Sequence, residues 1–144
     1  MSTRLFTVPV VMGDLNRVAE RIVRQIVVNS VATLREVTPR DTSWARANWV
    51  PNIGAPRTDP LGSYPGRGGH AGPQLQEQDT LATRVLLQYR LNMGAVYISN
   101  NVPYIGRLNE GSSGQAPAGF VQSAIARVIQ DTIRQFGGRD ISRG

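Results

Sequence analysis

Leu15, Val18, Ala19, Ile22, Val23, Ile26, Val27, Ser30, Val31 and Leu34 follow one another at alternating three- and one-residue steps without a break. That spacing puts them on one side of a helix and predicts a long amphipathic helix over residues 14–37. Asp14 is placed to cap its start, Arg17, Glu20, Arg21 and Arg24 line the opposite face, and Pro39 supplies the stop. A stripe this rich in Val and Ile needs a second layer to cover it. Near the other end, Phe120, Val121, Ala124, Ile125, Val128, Ile129, Ile133 and Phe136 repeat the pattern. The second helix is expected over 117–136, with Pro117 just inside its start and Gly137-Gly138 closing it.

What lies between the stripes limits how they can be buried. Trp44 to Ile53 reads as a strand, with Pro51 confining it to an edge. Trp49 is expected in the core, and Trp44 is open to either a core or an interface role. Residues 54–74 hold Pro56, Pro60, Gly62, Pro65, Gly66, Gly68 and Gly69 with almost no apolar period, so a long loop is expected. Two readings of it stand: a solvated excursion, or an arm that orders on gripping a neighbouring subunit or nucleic acid. Thr80 to Leu91 fits a shorter helix and Ala95 to Ser99 a strand, with a hairpin about Asn92-Met93-Gly94 as the alternative. Residues 1–13 read as an extended arm interrupted by Pro9, and 139–144 as a frayed tail. The economical arrangement is an α+β domain, a small antiparallel sheet packed by two long helices and one shorter helix.

A chain of 144 residues is expected to form one domain, burying roughly 68–70% of its extended surface without staples. It has no cysteine, which excludes disulfides, thiolate metal sites and a cysteine nucleophile. The single histidine, His70, lies in a Gly-rich run and cannot build a multi-histidine metal site within one subunit. No metal, cofactor or catalytic residue is therefore expected, and an enzyme is the weakest reading, because no poised acid and base are visible. Gly66-Arg67-Gly68-Gly69 lacks the lysine and the strand-to-helix setting of a phosphate loop. No apolar run reaches the roughly 20 residues needed to span a bilayer, so no membrane partner is expected. The formal charge is +6, and all sixteen basic residues are arginine. Arginine's planar fork suits ion-paired interfaces or phosphates, while a GC-rich genome produces the same bias without any demand on the side chain.

Two blocks carry a resemblance. Thr38-Pro39-Arg40-Asp41-Thr42-Ser43-Trp44-Ala45-Arg46-Ala47-Asn48-Trp49 matches a "TP-DT-G-hR-NW" pattern, and the segment from Ser99 to Val121 matches "SNN-PY…LNEGSS…APAGFV". Both patterns, in this order and between these helices, resemble the tail-completion or neck proteins that join head and tail in tailed bacteriophages. Ser43 departs from it, standing where the family often has the glycine that takes a positive-φ turn without strain. The resemblance implies a structural virion protein made in the host cytoplasm, at the head-proximal end of the tail. It implies a closed ring, expected to hold six copies, around the DNA channel. The expected partners are further copies, the tail terminator, tail tube or head-side connector, and the genomic DNA passing through.

The residues expected at subunit or partner interfaces are Trp44, Arg46, Arg57, Tyr64, Arg67, Asn100, Asn101, Tyr104, Arg107 and Glu110. Arg57 and Arg67 are the two expected near DNA, because each added phosphate contact would hold a duplex that must slide. Asp41 reads as turn or cap chemistry, and Glu110 as either a cap or the partner of a buried arginine. Asn100 and Asn101 turn the chain ahead of Pro103. A competing function is a small basic nucleic-acid-binding module that uses the Arg/Gly-rich loop with Tyr64 as a flexible grip.

Overall fold

The computed structural model describes all residues except 1, 41, 42, 67, 68, 70, 112–115 and 144, and residues 2–14 and 138–143 as helical backbone alone. Among the described residues, four helices and two strands follow in the order α1 (Ser2–Val37), β1 (Val50–Ile53), α2 (Gly72–Gln88), β2 (Val96–Ser99), α3 (Ile105–Asn109) and α4 (Phe120–Arg143). Short 3-10 turns occupy Arg46–Asn48 and Leu91–Met93. The fold is α+β, a two-stranded antiparallel sheet packed against helices.

Helix α1 is the spine. Its stripe places Val27, Ser30, Val31 and Leu34 in the interior. Leu34 meets Phe120 and Ala124 near the start of α4, whereas the Arg21 guanidinium lies 5.7 Å from the Phe136 ring centre further along it. The two long helices therefore run antiparallel. On its other side α1 meets α2, with Val27, Val85 and Tyr89 packed together beneath Ile53, Val96 and Ile98 of the sheet. The Arg24 guanidinium fastens the end of α2, donating to the Tyr89 carbonyl, from Nε at 3.2 Å and also through Nη2.

In the ladder Val50 stands opposite Ser99, Pro51 opposite Ile98, Asn52 opposite Tyr97 and Ile53 opposite Val96. The Gly54 N–H donates to the Ala95 carbonyl at 2.8 Å, making that pair hydrogen-bonded. Alternation then makes Asn52–Tyr97 and Val50–Ser99 hydrogen-bonded and turns the main-chain groups of residues 51, 53, 96 and 98 away from the ladder. Pro51 is tolerated because the donor it lacks faces outward.

Several expected boundaries are corrected. Residues 2–13 are not an extended arm, since α1 begins at Ser2 and runs through Pro9, and residue 1 lies outside the described residues. Leu5, Val8 and Met12 carry the three-four spacing upstream of Leu15, and one missing donor does not stop it. The expected strand from Trp44 shrinks to Val50–Ile53, because Ser43 to Asn48 close a turn in which the Ala47 N–H donates to the Ser43 carbonyl at 3.0 Å. The loop expected over 54–74 ends before Gly72, where α2 begins with Pro73 in its first turn, eight residues ahead of the expected Thr80. The hairpin alternative is excluded, for α2 separates the paired strands. The helix expected over 117–136 starts instead at Phe120, with Pro117 ahead of it, and continues through Gly137-Gly138 to Arg143, so residues 139–143 are not a frayed tail, and residue 144 lies outside the described residues. An interior glycine weakens a helix by about 1 kcal/mol without ending it.

Ser43 adopts φ +65°, the left-handed turn expected of glycine at its position. Trp49 is buried as expected, and its Nε1 donates to Thr38 Oγ1 at 2.8 Å while that hydroxyl donates to the Leu34 carbonyl. Gln78 of α2, fully buried, spans the Arg46 and Trp49 carbonyls with Nε2 at 2.9 and 3.1 Å.

Candidate functional site

Three aromatic residues distant in sequence converge on one open cleft. Trp44 lies with its ring centre 5.9 Å from Tyr64 in an edge-on arrangement and 6.2 Å from Tyr104. Pro39, Ser43, Ala45, Pro103 and Leu108 complete the walls of a cleft of about 520 Å³. Each wall has a local cause: Pro39 follows the end of α1, the Ser43 turn presents Trp44, and Pro103 with Tyr104 leads into α3.

Tyr64 reaches the cleft because the long loop is fastened at its middle. Leu61 is 1% exposed. Its N–H donates to Asn48 Oδ1, and its carbonyl accepts Trp44 Nε1 at 2.8 Å and Asn48 Nδ2 at 3.3 Å. Asn48 Nδ2 also donates to the Trp44 carbonyl at 2.9 Å. A second tie runs from Asn101 Nδ2 to the Arg57 carbonyl at 2.8 Å. The described stretch from Arg57 to Leu61 is thus secured within its own subunit, which corrects the freely solvated reading there. A lone aliphatic residue between Pro60 and Gly62 was the available signal for Leu61. For Asn48 it was an amide between two alanine- and tryptophan-rich neighbours.

The other expected residues do not all join the cleft. Asn100 supports it from behind, donating from Nδ2 to the Ala45 carbonyl at 2.9 Å and accepting the Val102 N–H at 3.1 Å. Arg46 Nε donates to the Arg35 carbonyl at 2.8 Å, closing the C-terminal end of α1. Burial pushes its pKa down, helped by Arg40 and Arg35 and opposed by Glu36. Arg57 Nε donates to the Asp59 carbonyl at 2.8 Å. Arg107 and Glu110 lie exposed at α3, and among the described ion pairs none uses Glu110. Arg67, Asp41 and His70 lie outside the described residues.

The walls are apolar and aromatic, so the cleft suits apolar side chains of a partner more than proton transfer. Among the described residues no three His, Cys, Asp or Glu side chains group closely enough to hold a metal ion, and no helix is long and apolar enough to cross a membrane. No family model, curated protein or solved structure matches the chain.

Proposed function

We propose that the chain is a structural virion protein of a tailed bacteriophage, which completes the head-proximal end of the tail or joins tail to head as one subunit of a ring. The two sequence blocks that resemble neck proteins suggest the class. The observation that carries a role in assembly is apolar surface left uncovered at separate places: the open aromatic cleft past the C-terminal end of α1, and, toward the other end of the same helix, Leu15, 57% exposed, with Ile133 of α4 59% exposed. Apolar patches of this kind mark surfaces that a partner covers. A ring, for which six copies are proposed, closes such surfaces by repeating one contact around an axis. The cleft then receives an apolar side chain from the next subunit or from a terminator, tube or connector protein. DNA passes through the channel with few arginine contacts, Arg57 among them.

The test is to mix the purified chain with tails assembled without it and to follow co-sedimentation and head attachment. Binding of a fixed, ring-sized number of copies per tail is expected. A chain that ignores tails yet binds DNA with steep salt dependence refutes the proposal in favour of a nucleic-acid module.

A further inference from the structure

We infer that β2 and α4 form a self-complementary surface through which two copies of this chain pair about a two-fold axis, joining their sheets in the order β1-β2-β2-β1. The inference does not rest on the virion reading.

The main chain supplies the first argument. The N–H and C=O groups of Val96 and Ile98 point away from β1, and among the described residues no other group bonds them. One step before them, the outward Gly94 carbonyl is already taken by the Tyr89 hydroxyl at 2.9 Å. The edge is therefore short and defined. Natural sheets protect such edges with charge, proline or a covering element. β1 has Pro51 and α2 beside it, whereas Val96-Tyr97-Ile98-Ser99 has neither charge nor proline.

Self-pairing satisfies this edge in full. Antiparallel to a second β2, Val96 meets the other copy's Ile98 in one hydrogen-bonded pair and Ile98 meets its Val96 in another, four bonds in all. The axis passes through the pair of Tyr97 side chains. These form the non-hydrogen-bonded pair, where cross-strand side chains come closest. Tyr97 is 42% exposed.

Helix α4 supplies the second argument. Ile98 of β2 and Val121 and Ile125 of α4 pack against the same buried group of Leu34, Trp49, Phe120 and Ala124. Val121, Ile125, Ile129 and Ile133 stand at four-residue intervals and make one ridge, half-buried at its start and exposed by Ile129 and Ile133. An added strand beside β2 lays its Val96 and Ile98 side chains toward this ridge, and the second copy's α4 follows beneath. Strand edge and ridge carry no charge, so the +6 of each chain does not meet itself at the axis. The ridge from Val121 to Ile133 offers a strip about 18 Å long and about 10 Å wide. With the edge of the four-residue β2, that makes a small contact, of the size that holds weak and transient pairs. A polar ring has no place for a two-fold contact, so the pair is the form of the free subunit before assembly.

Sedimentation of the full chain over concentrations rising to about 1 mM tests this, and a mass approaching twice the 15.7 kDa of one chain is expected at the upper end. Tyr97→Lys brings like charges together at the axis, and Ile133→Asp places a charge on the ridge; both sites are exposed, so the fold is retained. Each is expected to weaken pairing at least tenfold while leaving the far-ultraviolet circular dichroism unchanged. Val96→Pro removes an outward donor and is expected to do the same. A wild-type chain that stays monomeric, or a dimer or hexamer whose mass survives all three substitutions, overturns the inference. A surviving hexamer does so while leaving the ring proposal standing.

Discussion

Replacing Asn48 by alanine probes the most concentrated set of bonds around the cleft. Asn48 is 1% exposed, and its amide accepts the Leu61 N–H and donates to the Trp44 and Leu61 carbonyls. In Asn48→Ala the buried Leu61 N–H is left without an acceptor, costing about 1–3 kcal/mol, and the bond to the Trp44 carbonyl forfeits about 1 kcal/mol more. The Leu61 carbonyl keeps Trp44 Nε1, so no further term is added there. The expected loss is about 2–4 kcal/mol, which for a chain of this size lowers Tm by roughly 6–16 °C. Urea unfolding followed by tryptophan fluorescence measures the first quantity. Because the same bonds fasten the loop, trypsin is expected to cut after Arg57 sooner in the variant than in the parent under native conditions. A variant within about 0.5 kcal/mol of the parent, cut no faster, refutes the reasoning that this side chain holds the loop.

Thr38→Val removes the acceptor of Trp49 Nε1 and is expected to cost about 1–3 kcal/mol in urea unfolding. Combined with Trp49→Phe, which removes the donor too, the loss should be smaller than the sum of the two single losses. Ser43→Gly relieves a left-handed backbone at φ +65°; the relief of about 1–2 kcal/mol exceeds the entropic cost of glycine, about 0.5–1 kcal/mol, so a Tm gain of a few degrees is expected. Tyr64→Ala, at a side chain 53% exposed, is expected to change stability by less than about 1 kcal/mol while reducing attachment to tails tenfold or more; unchanged attachment removes the cleft from the docking surface.

The fold class was legible because it rests on periodicity: Val27, Ser30, Val31 and Leu34 of the α1 stripe and Phe120, Ala124 and Val128 of the α4 stripe are buried, whereas Ile129 and Ile133, read into the same stripe, are exposed. Boundaries were less so. Gly137-Gly138 carry the local chemistry of a stop, yet a helix already under way passes them for a modest cost. Pro73 was hidden inside a run of breakers, although proline in a first turn is a helix start. At the site, Trp44, Tyr64 and Tyr104 were singled out separately as interface residues, but the approach of Tyr64 to Trp44 depends on Leu61 being drawn inward by Asn48. Such a contact across thirteen residues leaves no period to read. Arg46 shows the reverse case: a basic residue expected at an interface is occupied by the last turn of α1.

Pro51 sits with its nitrogen on the outer side of the sheet, directly across the ladder from Ile98. In the pairing inferred above, strand addition is therefore directional: it proceeds from β2 and halts at β1. A sheet that admits growth at one margin alone terminates after a single joining event, so the protein can associate through backbone pairing without seeding an endless fibre.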